Sequence, residues 1–353
     1  MKRHFGVMAA ALLLTAALTG CSGPAQTEGG AKAEAGKTEA AKTEAERAEE
    51  AGGSKTTDTA WPTKTLQLIC PFAAGGDSDA NARWAAQYLT KELGIDVVVV
   101  NTDGNGGAVG ARAAKDAPND GSTALISSSA FITNELSGAI DFGLDEFEFA
   151  CICAENPGNI ICVNKDLGIA DFQGLIDYSK ANPGKLKMAY NTGATTHAIA
   201  LQILDAGVDA TLVDAGGSSD RIAALLGGHV DVIINAYGSV KDYLASGDFV
   251  GLGLTGTSNA EHIPDYTCLK EQGFNVAFPT YFFIAFPKGT DPELPKKVSA
   301  AMKNIIENNE EYANAIRDAY MQSPTYFDGE EGRKLLDESR EEIVKYTAQF
   351  QGK

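Results

Sequence analysis

Two aspartates stand two positions apart, Asp77 and Asp79, directly after the pair Gly75-Gly76. Carboxylates this close could divide acid and base work between them. At the start of a helical pattern they are more simply caps, which satisfy free N–H groups and oppose the positive end of the helix dipole. Beyond them, nothing in the sequence points to a catalytic motif. Neither a G-x-S-x-G nucleophile elbow nor an H-E-x-x-H zinc pair occurs. Gly104-Asn105-Gly106-Gly107-Ala108-Val109 opens like a dinucleotide fingerprint but has Val109 where the third glycine belongs. Cys151 and Cys153 would share one side of a strand, and no second Cys pair or nearby His supplies the other zinc ligands. The expectation is a binder rather than an enzyme, with no metal and no cofactor.

Three stretches carry that expectation. Pro71-Phe72-Ala73-Ala74-Gly75-Gly76-Asp77-Ser78-Asp79 lies between a strand pattern and a helical one. Its glycines let backbone N–H groups approach a solute, and the helix entrance behind them favours negative charge. Asn191-Thr192-Gly193-Ala194-Thr195-Thr196-His197 places hydroxyls before a helical run, and Gly216-Gly217-Ser218-Ser219-Asp220 leads into another. Each alone reads as an ordinary cap; together they offer uncharged donors to one small anion. The first stretch contributes Phe72, Ala74, Gly75, Gly76 and Asp79 to the candidate ligand-binding set, and the second contributes Gly193, Thr195 and Thr196. Ser128, Ser129 and Asp214 complete it.

Those loops need a scaffold. Strand patterns fall at 66–70, 97–101, 123–127, 160–164, 187–190, 210–213, 230–235, 251–255 and 281–286, with helical patterns between most of them. That alternation argues parallel α/β sheets. Helices are expected at 79–93, 291–308 and 329–349. An acidic stretch at 141–148, followed by the segment 151–163, marks one boundary, and the apolar run at 281–286 marks a second. Residues 61–162 and 281–353 are thus assigned to one lobe and 163–280 to the other, with a ligand cleft between them.

Charge and the first residues bound the setting. The chain has 353 residues, with 29 Lys and Arg against 47 Asp and Glu, a formal charge of -18 and a pI near 4.6. Such a balance repels phosphate backbones, so a nucleic-acid partner is not expected. No apolar run after residue 20 approaches the roughly 20 residues that span a bilayer, which excludes an integral membrane transporter. Residues 1–20 read as a signal peptide, with Lys2 and Arg3 before an uncharged run. Leu18-Thr19-Gly20-Cys21 fits a bacterial lipobox at all four positions and implies lipidation of Cys21 after cleavage. Residues 21–60, with Lys-Thr-Glu-Ala units at 37–40 and 42–45, lack the apolar side chains needed to offset ordering entropy and read as a tether. The remaining cysteines, Cys70, Cys151, Cys153, Cys162 and Cys268, are odd in number, so at least one thiol is left out of any pairing.

These residues resemble the tripartite tricarboxylate transporter receptors, also called the Bug family of extracytoplasmic solute-binding proteins. The P-F-x-A-G-G-x-x-D loop followed by A-R stands here as Pro71 to Asp79 with Ala82-Arg83. The N-x-x-G-x-G-G-x-x-G-A stretch matches from Asn101 to Ala111, and A-P-x-D-G-x-T matches from Ala117 to Thr123. L-L-G-G-x-V-D is met at every fixed position from Leu225 to Asp231, and P-x-G-T stands at Pro287 to Thr290. The resemblance implies an α/β, two-lobed type II periplasmic-binding-protein fold that closes on a small carboxylate or related polar metabolite. It implies delivery to a membrane carrier of large and small subunits, from an extracytoplasmic position anchored by Cys21. It also implies a ligand held by the P-F-x-A-G-G loop and an opposing second-lobe loop. The alternatives are a solute sensor presenting its closed form to a receptor kinase, or the receptor of an ATP-driven importer. Where the family often has a P-Y pair, this chain has Asp214-Ala215. A carboxylate there, if it faces the cleft, would repel a polycarboxylate or recruit an ammonium group.

Overall fold

The computed structural model describes residues 65–257, 259–260 and 262–353. The expected signal peptide, Cys21 and the tether lie outside the described residues. Two five-stranded sheets form the framework. The first is assembled from β1 (Leu66–Cys70), β2 (Val97–Asn101), β3 (Thr123–Ser128), β4 (Phe147–Asn156) and β10 (Thr280–Pro287), in the order β2-β1-β3-β10-β4. The second is built from β5 (Asn159–Asn164), β6 (Lys187–Tyr190), β7 (Thr211–Asp214), β8 (Val232–Ala236) and β9 (Phe249–Leu254), in the order β7-β6-β8-β5-β9. β3 and β10 are buried along their whole length. Their near-continuous apolar runs are what strands covered on both faces require.

Helices follow the strands as the pattern predicts: α1 (Asp77–Leu93), α2 (Ala108–Lys115), α3 (Ala130–Ser137), α4 (Phe172–Ala181), α5 (Thr195–Asp205), α6 (Ser218–Leu226) and α7 (Tyr237–Ser246). α1 stops at Gly94, whose φ of 67° places it in the left-handed region while its N–H returns to Thr90 O. The C-terminal run differs from expectation in two ways. After α8 (Glu293–Asn308), Asn309 starts a further helix, α9 (Glu310–Tyr320), by accepting a bond from Tyr312 N. The last expected helix ends at Ile343, giving α10 (Gly329–Ile343), a single 3-10 turn and the short α11 (Thr347–Phe350).

The sheets are mixed rather than parallel. β10 runs antiparallel to β3 and β4, and β5 runs antiparallel to β8 and β9. A strand arriving from the other sheet needs no crossover helix, so nothing forces it parallel to its new neighbours. The first passage between sheets also lies earlier than the sequence suggests. β4 ends at Asn156 and β5 begins at Asn159, so residues 159–162, expected in the first lobe, pair in the second sheet. The sequence marks this step with Pro157-Gly158, set between Asn156 and Asn159 and flanked by two buried strands.

The core has three parts. One cluster joins both sheets, with Leu125, Ile152 and Phe283 from the first and Ile161, Met188 and Ile234 from the second. A second packs Leu68, Ile126 and Ile284 against Leu89, Met302 and Tyr312 of the helices. A third packs Ile160 and Ile233 against Leu225 and Val240. Cys70, Cys151 and Cys153 belong to the second cluster and Cys162 and Cys268 to the third, all buried and none in a disulfide. Burial pushes the Cys70 thiol up to about 12, so it stays protonated and inert.

Where the chain passes between sheets, two glycines touch. Gly158 has a φ of 132°, and a Cβ there would overlap Gly256 N; a Cβ on Gly256 would overlap Pro157 O. Thr255 N donates to Asn159 O at 2.8 Å and Thr255 Oγ1 accepts from Asn159 N at 3.0 Å, which ties the two passages together. Gly256→Ala forces these backbones apart, a small-to-large change that should cost about 1–3 kcal/mol. Urea denaturation monitored by circular dichroism checks this; an unchanged midpoint would show that the crossing yields without strain.

Candidate functional site

A cavity of about 640 Å³ lies between the sheets, walled by loops at the ends of β1, β2, β6 and β7. Phe72, Ala74, Gly76, Ser128, Thr195, Thr196 and Asp214, all expected from the sequence, line it. Gly75 lines a smaller neighbouring cavity instead. Asp79, Ser129 and Gly193 line neither, and their bonds explain where they went.

Asp79 faces inward, 4% exposed. Its Oδ2 accepts from Gly75 N at 3.0 Å and from Arg83 Nε at 2.9 Å, while Oδ1 accepts from Asn101 Nδ2 at 2.8 Å. Asn101 Nδ2 also donates to Phe72 O at 3.0 Å. The loop is thereby tied to both α1 and the end of β2. Burial alone would push the Asp79 carboxyl up, but these three donors outweigh it and hold the group below the usual carboxylate range. Ser129 is spent joining α3 to β10: its Oγ accepts from Tyr281 N at 3.0 Å and its own N–H donates to Tyr281 O at 3.0 Å. Gly193 has a φ of 77° and sits against Asn134, whose Nδ2 donates to Gly106 O at 2.9 Å. A Cβ on Gly106 would overlap Thr192 O, so the glycine-rich turn after β2 meets the turn before α5 backbone to backbone.

Gly75 has a φ of 90°, a region that a residue with a Cβ adopts only with strain. Its carbonyl accepts from Tyr320 Oη at 2.9 Å, which draws the end of α9 against the loop. Opposite, α5 opens with Ala194 as its cap, makes no side-chain cap bond and has no acidic residue in its first turn. Thr196 Oγ1 accepts from Asn191 N at 3.0 Å, which leaves its O–H to donate.

The structure adds cavity residues that the sequence reading did not single out as ligand contacts: Asp77, Asn159, Asp220, Arg221 and Thr280. Arg221 is 6% exposed. Its Nε donates to Ile234 O at 3.1 Å and Asn235 Oδ1 at 3.0 Å, and Nη1 donates to Gly216 O at 2.6 Å. Burial pulls this guanidinium down to about 10, opposed by the carboxylates of Asp77, Asp220 and Asp214. Asp77 is half-buried, and burial raises its carboxyl despite the N–H of Ser78 and the charge of Arg221. The only signal for Arg221 in the sequence was its place one residue after the third glycine-rich stretch; its burial is not a local property.

His197 lies behind the α5 entrance, between the rings of Tyr190 and Phe350 at centroid distances of 4.6 and 4.9 Å. Its Nδ1 accepts from Gly193 N at 3.4 Å, a bond only the neutral ring can take there. Burial lowers the imidazole to about 4 from 6.5, with the Asp214 carboxylate pulling the other way. Between those values the unfolded chain takes up a proton that the folded one refuses, so stability falls as pH drops through this window. The slope from this one group is at most about 1.4 kcal/mol per pH unit. His197→Gln should lose that component, read as a flatter stability profile in denaturation series from about pH 6.5 to about pH 4. Parallel profiles for the two proteins would rule the contribution out.

Among the described residues, no helix is long and apolar enough to cross a membrane. Comparison with known proteins supplies the family. The family profile described as "Tripartite tricarboxylate transporter family receptor" matches residues 81–345. Protein BugT of Bordetella pertussis is 31% identical over 241 residues, covering 66% of this chain and 74% of that protein. Two solved structures share the fold. A protein of R. palustris with adipate has a TM-score of 0.73 at 21% identity, covering 83% of this chain and 98% of its own. MatC from Rhodopseudomonas palustris with bound malate has a TM-score of 0.71 at 20% identity, covering 82% of this chain and all (100%) of its own. Two α/β lobes around a polar cavity are the architecture of a solute receptor, and this chain belongs to the tripartite tricarboxylate transporter receptor family, a family of periplasmic solute-binding receptors and not of enzymes.

Proposed function

We propose that the protein captures a small carboxylate solute outside the cytoplasm and hands it to a tripartite membrane carrier, held at the membrane by lipidated Cys21. The observation that carries this reading is the pair of loops lining the cavity: the Phe72 to Gly76 loop from one lobe and, from the other, the α5 entrance, which no side chain caps, with Thr195 and Thr196. Free N–H groups at a helix start, together with hydroxyls, suit an anion. Adipate and malate in the related folds support a carboxylate as the solute class. The Phe72 loop needs no charged contact to work, because Asp79 already fixes its shape from behind.

Isothermal titration with mono-, di- and tricarboxylates should give one-to-one binding of at least one of them, recovered unchanged; sustained turnover of a bound acid would reject a receptor. Gly75→Val places a branched residue at a φ of 90°, where strain amounts to about 1–3 kcal/mol, and disturbs the loop that holds the solute. Thr195→Ala removes one neutral hydrogen bond, worth about 0.5–1.5 kcal/mol. The first should weaken binding more than the second, with circular dichroism as the check on folding. Wild-type affinity in folded Gly75→Val would take this loop out of the site. For the anchor, Cys21→Ser should abolish the acyl mass on the N-terminal peptide and release the chain from membranes; a wild-type peptide without acyl mass would reject the anchor.

A further inference from the structure

The cavity is lined by four carboxylates, Asp77, Asp103, Asp214 and Asp220, against a single cationic side chain, Arg221, with no Lys or His among its walls. Among the described residues none of the four forms an ion pair. Arg221 does not offset the excess for an incoming acid. Its bonded N–H groups serve Ile234 O, Asn235 Oδ1 and Gly216 O, and its charge is shared by acids from both walls.

Two of the helix entrances at the cavity, those of α1 and α6, are already answered by the chain's own carboxylates. Asp77 Oδ1 accepts from Ser78 N at 2.9 Å at the start of α1, and Asp220 Oδ2 accepts from Gly217 N at 3.1 Å at the start of α6. Asp214 Oδ1 accepts from Gly216 N at 3.2 Å in the same turn. The starts of α3, α5 and α7 have no acid in their first turns. At α3 the Ser128 Oγ accepts from Ala130 N at 3.4 Å, and α5 is the one that brings two threonines, Thr195 and Thr196, to the cavity. The α5 entrance therefore offers a carboxylate both helix N–H groups and hydroxyls, while the four aspartates leave a surplus of negative charge around the rest of the solute. An independent observation marks the surface between. Thr280 Oγ1, on a residue 4% exposed, has no hydrogen-bond partner and lines the cavity beside the inter-sheet crossing. A buried hydroxyl left without a partner is a cost that a polar ligand removes.

Resting on the receptor reading above, we propose that the solute is a zwitterion of the amino-acid class, with its carboxylate at the α5 entrance beside Thr195 and Thr196 and its ammonium held between Asp77 and Asp214. A dicarboxylate without an amine would bring its second charge against four aspartates that share one guanidinium, where like charges repel strongly in a partly desolvated site. An ammonium group meets acceptors there, and Thr280 gains a partner.

The test is titration calorimetry on the purified protein with matched probes that differ by one α-amino group: alanine and propionate, aspartate and succinate, glutamate and glutarate, norleucine and hexanoate. The expected result is that in every pair showing binding the amine-bearing member is preferred by roughly tenfold or more, the free-energy scale of one charge-assisted contact. Asp214→Asn, at an exposed turn position, should cut that preference at least several-fold with the thermal midpoint preserved. Tighter binding of an amine-free acid, strengthened further in Asp214→Asn, would overturn the zwitterion and leave the carboxylate receptor standing. Failure of every acid in both sets, with binding of a carboxylate-free amine such as putrescine, would overturn the carboxylate receptor itself and the zwitterion with it.

Discussion

The buried carboxylate of Asp79 is the constraint on which the site depends. Its three donors come from the loop it stabilises, from the next turn of its own helix and from the strand beside it. Without those bonds, burying the charge would be expensive; with them, the loop between β1 and α1 is fixed at both ends. Gly75 can then hold its left-handed conformation, and Tyr320 can seat its hydroxyl on the Gly75 carbonyl. The P-F-x-A-G-G-x-x-D pattern, the following Ala82-Arg83 and Asn101 are thus one device, in which Asp79, Arg83 and Asn101 shape the loop while Phe72, Ala74 and Gly76 line the cavity.

A second economy concerns the helix entrances. A helix start with no partner for its N–H groups attracts any anion, including the chain's own. At α1 and α6 the chain supplies that anion itself, and at α5 it supplies threonines instead. Arg221, sunk beneath the α6 entrance and bonded to carbonyl-type oxygens, places a positive charge behind these acids without projecting it as an independent contact.

The lobes are coupled by more than the two passages between sheets. One apolar cluster runs through both, and the last helix brings Phe350 against His197 at the back of the α5 entrance. Lys345 and Tyr346 both bond Asp205 at the other end of α5, at 3.0 and 2.8 Å. Gly238 of α7 lets the backbone of Tyr320 approach at contact distance. Movement of one lobe on the other must therefore be accommodated at the Gly158 and Gly256 crossing and by sliding of these C-terminal contacts, since close-packed surfaces shift as units.

Periodicity and local capping chemistry determined much of this protein by sequence alone. Strands 66–70, 97–101 and 187–190 have the bounds expected, and the glycine-rich stretches do sit at helix starts, because a residue's alternation, its left-handed tolerance and its cap preference act within a few positions. Tertiary structure decided everything that depends on partners far along the chain. Asp79 and Ser129 could not be told from cavity residues until Asn101 and Tyr281 were brought to them. The passage at Pro157-Gly158 carries a turn signal, but both flanking strands are buried and periodicity does not say to which sheet each belongs. Arg221 and Thr280 join the site through desolvation, which is set by the elements that close over a side chain and not by its neighbours in sequence.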